Sequence, residues 1–449
     1  MFKRILIANR GEIAMRIIRT CRRMGIETVV VHSTVDKESL PVRMADMSIC
    51  IGPGPAKQSY LNINNIIAAA ELADVDAIHP GFGFLSENSH FAQVVRDCKI
   101  EFIGPTSASM EALGNKAKAK ALAQEAGVPI VPGSVGPVTS SEEALKVAHE
   151  IGYPVLVKAT AGGGGRGMRV AHNDASLVSG LIQAQREAEA AFGNGDCIIE
   201  AFVQRARHIE IQIIGDQQGN IIALGERDCS TQRRHQKLVE ESPSPVITQA
   251  QRQAMMDDAV KLAKAAKYYN AGTIEFIYDL ERKAYYFLEM NTRIQVEHPV
   301  TEMCTGTDLI RNQIEVAAGL PLPFTQAEIK PQGHAIEVRI NAEDWQNGFA
   351  PSPGRISMYV APSGKGVRVD SHCYSGYVIP PNYDSMIAKL IVHGKDRADA
   401  LKTLELALGE YIIDGPKTTI GFHQRLLKDA RFLNNEVTTK WVDEVFLKS

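Results

Sequence analysis

Between Glu289 and Glu297 every second residue can ligate a cation or hydrogen-bond a substrate: Glu289, Asn291, Arg293, Gln295 and Glu297 alternate with Met290, Thr292, Ile294 and Val296. In extended backbone these five polar residues lie along one face. If the preceding hairpin is symmetric about its charged turn, Glu275 falls opposite Glu289. Two opposed carboxylates repel unless a cation sits between them. Carboxylate and amide oxygens suit Mg²⁺, which keeps waters and also binds substrate phosphates. Beyond the ligands, Arg293 and Glu297 would hold and deprotonate a second substrate. The alternative reading of this segment is an exposed strand face with ordinary cross-strand pairs.

A second signal is the run Gly162, Gly163, Gly164, Gly165, Arg166, Gly167, just after an apolar strand that ends near Lys158. So many glycines are unfavourable unless backbone amides must come close to a ligand. The run satisfies G-x-G-x-x-G, but a dinucleotide site needs a helix next, and MRVAH (168–172) reads as a strand. A strand, loop, strand hairpin that folds over phosphates as a lid fits better, with a mobile surface turn as the alternative. Lys158 interrupts its apolar strand and calls for an anionic partner. The run Arg233, Arg234, His235, Gln236, Lys237 follows Glu226, Arg227 and Asp228. Such basic runs are usually solvated, but among strands this one reads as an anion site for phosphate or carboxylate. His208 and Glu210 form H-x-E without a later P-C-x-x-C, which removes the zinc-deaminase reading. With no Walker loop and no HExxH, an ATP site here must be of another kind.

Elements of two sorts would position these groups. The first third alternates β-branched runs (4–9, 27–33, 47–52, 76–80, 101–105) with amphipathic helices, which predicts a parallel, doubly wound sheet. In the first helix Ile13, Ile17, Ile18 and Cys21 form the apolar side, and Arg16, Arg19, Arg22 and Arg23 read as a solvated or subunit-facing side. Beyond VPGSVGP (131–137) strands follow one another with few helices, as in an antiparallel sheet: 154–160, 197–202, 208–216, 220–228, 273–279, 284–291 and 333–342. Helices are expected at 249–267 and, as the final one, near 396–411.

The 449 residues are too many for one ordinary core and predict about three domains or subdomains. Hydrophobic residues at 45% and charged residues at 22% describe a folded globular chain. A formal charge of -3 argues against nucleic acid or an anionic membrane as partner. The 7 cysteines form no CxxC pair and read as reduced, mostly buried thiols. With no signal-peptide core and no membrane-length apolar stretch, a cytoplasmic location is expected.

Six segments carry a family resemblance: IANRGEIA (7–14), HPGFGFLSEN (79–88), KATAGGGGRGMR (158–169), ERDCSTQRRHQK (226–237), EMNTRIQVEHPVTE (289–302) and GHAIEVRINAED (333–344). The chain resembles an ATP-grasp enzyme and, within that superfamily, looks like a biotin carboxylase. The resemblance covers nearly the whole chain. It implies an α/β (α+β) fold with a Rossmann-like, doubly wound N-terminal domain over 1–115. An ATP-grasp domain over 116–330 would follow, with a mobile lid at about 131–203, and then a mixed α+β C-terminal domain over 331–449.

It also implies roles, residue by residue. Lys116 and Lys158 would meet ATP phosphates, with Gly164 and Gly165 in the lid. Glu200, Ala201, Phe202, Val203, His208 and His235 would surround the base and ribose. Glu275, Glu289 and Asn291 would bind Mg²⁺, or Mn²⁺ in its place, beside the nucleotide. Lys237, Arg293, Gln295 and the Val296 backbone would hold bicarbonate, Glu297 would be its base, and Arg339 would face biotin. Phe82 departs from the family, which commonly has Tyr there, so a hydroxyl contact to biotin from that position is missing.

The implied activity is ATP-dependent carboxylation of biotin through carboxyphosphate, as the first half-reaction of acetyl-CoA carboxylase in fatty acid synthesis. A pyruvate or other acyl carboxylase, another ATP-grasp ligase, or a silent nucleotide-binding regulator on the same fold are the alternatives. The intact acidic and basic set argues against the regulator. No Lys has a Met neighbour, so biotin is expected on a separate carrier protein rather than on this chain. Carboxyltransferase subunits and a second copy of the chain are the other expected partners.

Overall fold

The computed structural model describes residues 1–138, 140–159, 168–192 and 195–448. Its contacts fall into two compact units, one of 1–128, 207–277 and 289–449, the other of 129–206 and 278–288.

The first unit begins with the parallel sheet expected from sequence: β1 (Arg4–Ile7), β2 (Glu27–Ser33), β3 (Met47–Gly52), β4 (Ala77–His79) and β5 (Glu101–Phe102), in the order β3-β2-β1-β4-β5. The first helix, Gly11–Met24, buries Ile13, Ile17, Ile18 and Cys21 against it. Arg16 departs from the solvated face assigned to it: it is 8% exposed and pairs with Glu302 and Asp308 at 2.8 and 2.7 Å. A basic residue flanking an apolar stripe can find carboxylates on a distant segment, which periodicity does not show. Two of the motifs brace each other here. Asn9 Nδ2 donates to the carbonyls of Pro80 and Phe82, and Gly81, at φ +61, leaves no room for a Cβ beside Asn9.

The second unit holds a three-stranded antiparallel sheet, β6 (Val155–Ala159), β7 (Met168–Ala171) and β8 (Cys197–Ala201), in the order β7-β6-β8. Two helices, Ser141–Ile151 and Asp174–Phe192, cover it, so the region has more helix than its strand-rich reading predicts. Leu177, Leu181, Ala184 and Ala188 are the buried stripe of the longer helix; two of its four anchors are alanines in a polar, alanine-rich stretch whose apolar signal is weak.

Most of the first unit is built on an eight-stranded sheet. Its strands are β9 (Ala206–Gly215), β10 (Ile221–Arg233), β11 (Gln236–Ser242), β12 (Asn270–Asp279), β13 (Ala284–Asn291), β14 (His334–Asn341), β19 (Val367–Ser371) and β21 (Met386–Gly394), ordered β13-β12-β9-β10-β11-β14-β21-β19. Short strands between these form separate pairs: β15 (Glu343–Asp344) with β16 (Ala350–Pro351), β17 (Gly354–Arg355) with β20 (Val378–Ile379), and β18 (Met358–Val360) with β22 (Ile412–Asp414). Ile336, Val338 and Ile340 of β14 enter an apolar core with Leu404 and Leu408 of the helix Arg397–Glu410. That helix is not the last, since Ile420–Leu426, Ala430–Leu433 and Trp441–Glu444 follow and bury Phe422, Phe432 and Trp441 in the same core. Each is at most 7 residues long, below the length at which a periodic pattern is readable. The opposite face of β14 carries Glu337 and Arg339 and packs toward the helix His298–Thr305.

Candidate active site

Alternation in β9 places His208, Glu210 and Gln212 on one face, with Ile209, Ile211 and Ile213 on the other. Arg227 of β10 lies opposite Glu210 in the register and is fully buried. Its guanidinium donates to Glu210 at 2.6 Å, to Gln212 and Gln295 at 2.7 Å, and to the hydroxyls of Thr301 and Thr273 at 3.0 and 3.1 Å. A buried, fully engaged arginine of this kind fixes the groups around it.

Lys237, on β11, reaches three carboxylates: Glu210 at 2.6 Å, Glu297 at 2.6 Å and Glu275 at 3.1 Å. Burial pushes the ammonium down, but Glu210 and Glu297 outweigh it and hold Lys237 well above its ordinary value. Glu275 also accepts from Asn291 at 2.9 Å and Gln295 at 3.0 Å, and lies 3.3 Å from His208. Burial alone would raise Glu275; Lys237 and His208 hold it below the usual carboxylate range. Burial and Lys237 lower His208, yet Glu275 and Glu210 carry it up to about 9.

The alternating pentad is extended only as far as Asn291, where β13 ends. Gln295 and Glu297 instead reach the cluster from the turn that leads into the helix His298–Thr305, so the single strand face expected over 289–297 is corrected. Pro299 in the first turn of that helix is the sequence signal for the change, because proline favours helix starts. Glu297, 2% exposed, takes Lys237 on one oxygen and Arg339, at 3.0 Å, on the other. Burial raises its carboxyl, and Lys237 and Arg339 more than compensate. Arg339 also binds Glu240 through Nε at 2.7 Å. Arg293 is held by Glu87 at 2.9 Å and Asn291 at 3.0 Å. The Val296 carbonyl accepts from the fully buried Lys389 at 2.8 Å.

Glu289 and Lys116 pair at 2.9 Å at the more exposed margin. The carboxylates of Glu275 and Glu289 thus each face an ammonium group, Lys237 and Lys116. With the Asn291 amide oxygen, which accepts from Arg293 here, they offer oxygen ligands of the kind Mg²⁺ takes. His235 stands outside the cluster, exposed at the tip of the β10–β11 turn with φ 65. Arg233 donates to the Gly348 carbonyl, and the exposed Arg234 gives its backbone N–H to Asp443; Lys237 is the member of the basic run that joins the cluster. Phe82 packs on the N-terminal core. In the second unit, Lys158 lies 3.8 Å from Glu200, and the amides of Ala201 and Phe202 bond to the carbonyls of Pro132 and Pro154, with Val203 buried beside them. Gly164, Gly165 and the rest of the glycine run fall outside the described residues.

Glu87, Glu210, Arg227, Glu240 and Lys389 are residues of the cluster that the sequence reading did not assign to the site. Glu87 lies within HPGFGFLSEN and Arg227 within ERDCSTQRRHQK, so both were inside legible motifs without an assigned role. Lys389, alone in the apolar run MIAKLIV, carried the same signal as Lys158.

Three family models match in order along the chain. The biotin carboxylase N-terminal domain matches residues 1–110, the carbamoyl-phosphate synthase L chain ATP-binding domain 115–325, and the biotin carboxylase C-terminal domain 337–444. Biotin carboxylase 1 of Bacillus subtilis is 55% identical over 443 residues, covering 99% of this chain and 98% of its own. A biotin carboxylase complex from Campylobacter jejuni is 50% identical, with TM-score 0.90 and 99% of both chains covered. The biotin carboxylase domain dimer of the 2-oxoglutarate carboxylase of Hydrogenobacter thermophilus, solved with MgADP, ADP and bicarbonate, is 49% identical. Its TM-score is 0.88, with 99% of this chain and 98% of that one covered. Three family models matched in order along the chain, and sequence identity of this extent over the full length, lead to one assignment: the chain belongs to the biotin carboxylase family of ATP- and Mg²⁺-dependent ligases.

Proposed function

We propose that the chain carboxylates biotin on a separate carrier protein, using ATP and bicarbonate, as the first half-reaction of acetyl-CoA carboxylase. The observation that carries this reading is Glu297, which joins Lys237 on one oxygen to Arg339 on the other. This supports Glu297 as a base that stands between the cation assigned to bicarbonate and the cation assigned to biotin.

In this reading Lys237, Arg293, Gln295 and the Val296 backbone hold bicarbonate, and Glu297 takes its proton. The freed oxygen attacks the γ-phosphorus of ATP, the bond to ADP breaks, and carboxyphosphate forms. Lys116 and Lys158 receive phosphate charge, while Gly164, Gly165, Glu200 to Val203, His208 and His235 surround the nucleotide. Glu275, Glu289 and Asn291 would hold Mg²⁺, which when bound offsets charge on the phosphates. Carboxyphosphate splits to CO₂ and phosphate. The phosphate takes the N1′ proton of biotin, N1′ attacks CO₂, and Arg339 stabilises the ureido oxygen.

A biotin carrier and carboxyltransferase subunits complete the enzyme in this reading, with the chain as a cytoplasmic homodimer. Among the described residues, no helix is long and apolar enough to cross a membrane. The test is ATP cleavage that requires bicarbonate and rises with carrier-linked biotin. ATP cleavage indifferent to bicarbonate would refute the reading. Reconstitution with the carboxyltransferase subunits, assayed against acetyl-CoA, pyruvate and 2-oxoglutarate, decides the acceptor.

A further inference from the structure

Beneath Arg339 the eight-stranded sheet buries an unusual pair. Glu240 of β11 and Glu337 of β14 lie directly opposite each other in the antiparallel register, and both are 0% exposed. Glu240 Oε1 accepts from Arg339, but Glu240 Oε2 and both oxygens of Glu337 have no donor among the described residues. Directly opposed side chains on an antiparallel pair stand in contact distance. Two buried like charges at that distance are strongly unfavourable, and acceptor atoms without donors add to the penalty.

The cations nearby do not remove it. On the same sheet face, Arg339 divides its guanidinium between Glu240 and Glu297. Lys389, of β21, donates to the Val296 carbonyl and lies 3.2 Å from Glu12 of the first helix. Lys237 is taken by Glu210, Glu275 and Glu297. From the covering helix, His298 binds the Gln295 carbonyl through Nδ1 and is held neutral by burial and by Lys389, Arg16 and Arg368. Asp370 of β19 is paired with Arg368. Arg339 and Lys389 are therefore shared among four buried carboxylates, Glu12, Glu240, Glu297 and Glu337, and Glu337 is the one without a hydrogen-bonded or ion-paired cation.

We propose that Glu240 and Glu337 hold one proton between them, Glu337 donating it to Glu240, and that this proton keeps Arg339 free to leave Glu240 for the biotin ureido group. With the proton in place, Arg339 faces one carboxylate charge from the pair. Released to solvent, it leaves two, and the guanidinium is retained on the sheet. Burial lifts Glu337 well above the ordinary carboxylate range; Lys389 opposes this and Glu240 adds to it. Burial likewise carries Glu240 up to about 7 against the pull of Arg339. Glu240 and Glu337 act through Arg339 and are positioning residues.

The inference rests on the assignment of Arg339 to biotin, and two measurements separate them. Infrared spectra of the wild-type chain in deuterated buffer at neutral pH should show a protonated carboxylic acid carbonyl band. Glu337→Gln, which removes the acid, should lack it, and Glu240→Gln, which removes the acceptor of its hydrogen bond, should shift it. A wild-type spectrum without that band overturns the shared proton, whatever the variants do. In Glu337→Gln the amide donates to Glu240 at every pH. The alkaline limb of kcat/KM for carrier-linked biotin should therefore move up by about one pH unit or more, while bicarbonate-dependent ATP cleavage without biotin keeps its profile. An unmoved limb overturns the positioning role even if the band is present. Normal biotin carboxylation by Arg339→Ala would instead show that the assignment of Arg339 had failed.

Discussion

Lys237 is ringed by Glu210, Glu275 and Glu297, and Glu275 in turn gathers Asn291, Gln295 and His208. Replacing Glu275 or Glu289 with Gln removes an anionic ligand and leaves shape unchanged. We expect each to lower MgATP turnover by about 100-fold or more, with an unaltered circular dichroism spectrum. Turnover near wild type in both would contradict the metal assignment. Arg339→Ala should differ in kind. Bicarbonate-dependent ATP cleavage should persist within about 10-fold while carboxybiotin formation collapses, because the proposed role of the side chain comes after carboxyphosphate forms. Equal loss in both assays would make Arg339 a structural ion-pair partner of Glu240 and Glu297. At this scale the sequence showed the acidic and amide donors, since alternation in a strand is visible one residue at a time. Arg227 and Lys389 were harder to read. A buried cation in a strand owes its role to distant partners, such as Gln212, 15 residues from Arg227, and Val296, 93 residues from Lys389.

Strands were the most legible elements, because β-branched runs bounded by Gly and Pro mark both their presence and their ends. ETVVVHS and MSICIG coincide with β2 and β3. Legibility failed where one motif spans two kinds of backbone. The alternating pentad begins in β13 and ends at a helix cap, so its members meet through the turn rather than along one strand. The short C-terminal helices also escaped, although their packing is tight. Phe422 is fully buried and makes edge contacts with Trp345, Phe349 and Phe446. Phe422→Ala should cost about 3–5 kcal/mol in denaturant unfolding. A loss below about 1 kcal/mol would mean that this part of the core is not coupled to global unfolding.

For the molecule as a whole, buried titrating groups set an acid limit. Burial by itself would raise Glu241, but hydrogen bonds from His334 and Arg397 bring it down to about 2. Its contribution to stability is present above its unfolded value of 4.5 and is lost as pH falls toward 2. Burial lowers His79 and His372 to about 3 and His423 to about 4, from 6.5. Across those intervals the unfolded chain binds more protons, so they too favour unfolding as pH falls below 6.5. Glu240 works the other way, since its buried carboxyl, carried up to about 7, takes its proton before the unfolded one does. The test is therefore on the imidazoles themselves: proton NMR should show His79, His372 and His423 still neutral at about pH 5, and titration near 6.5 would show them to be solvated in the folded state.

The order of strands in the large sheet also has a meaning in time. β14 is flanked by β11 and β21, and β19, although made before β21, pairs only with β21. While the ribosome has delivered the chain only through Asn341, β14 has an open edge, and Ile336, Val338 and Ile340 wait for Leu404 and Leu408 to cover them. Such an edge invites pairing with another nascent chain. Lys389, which holds the Val296 carbonyl, arrives with the same late strand. The strand that closes this edge thus also brings the donor of the Val296 carbonyl, so edge protection and completion of the cluster fall at the same point of synthesis.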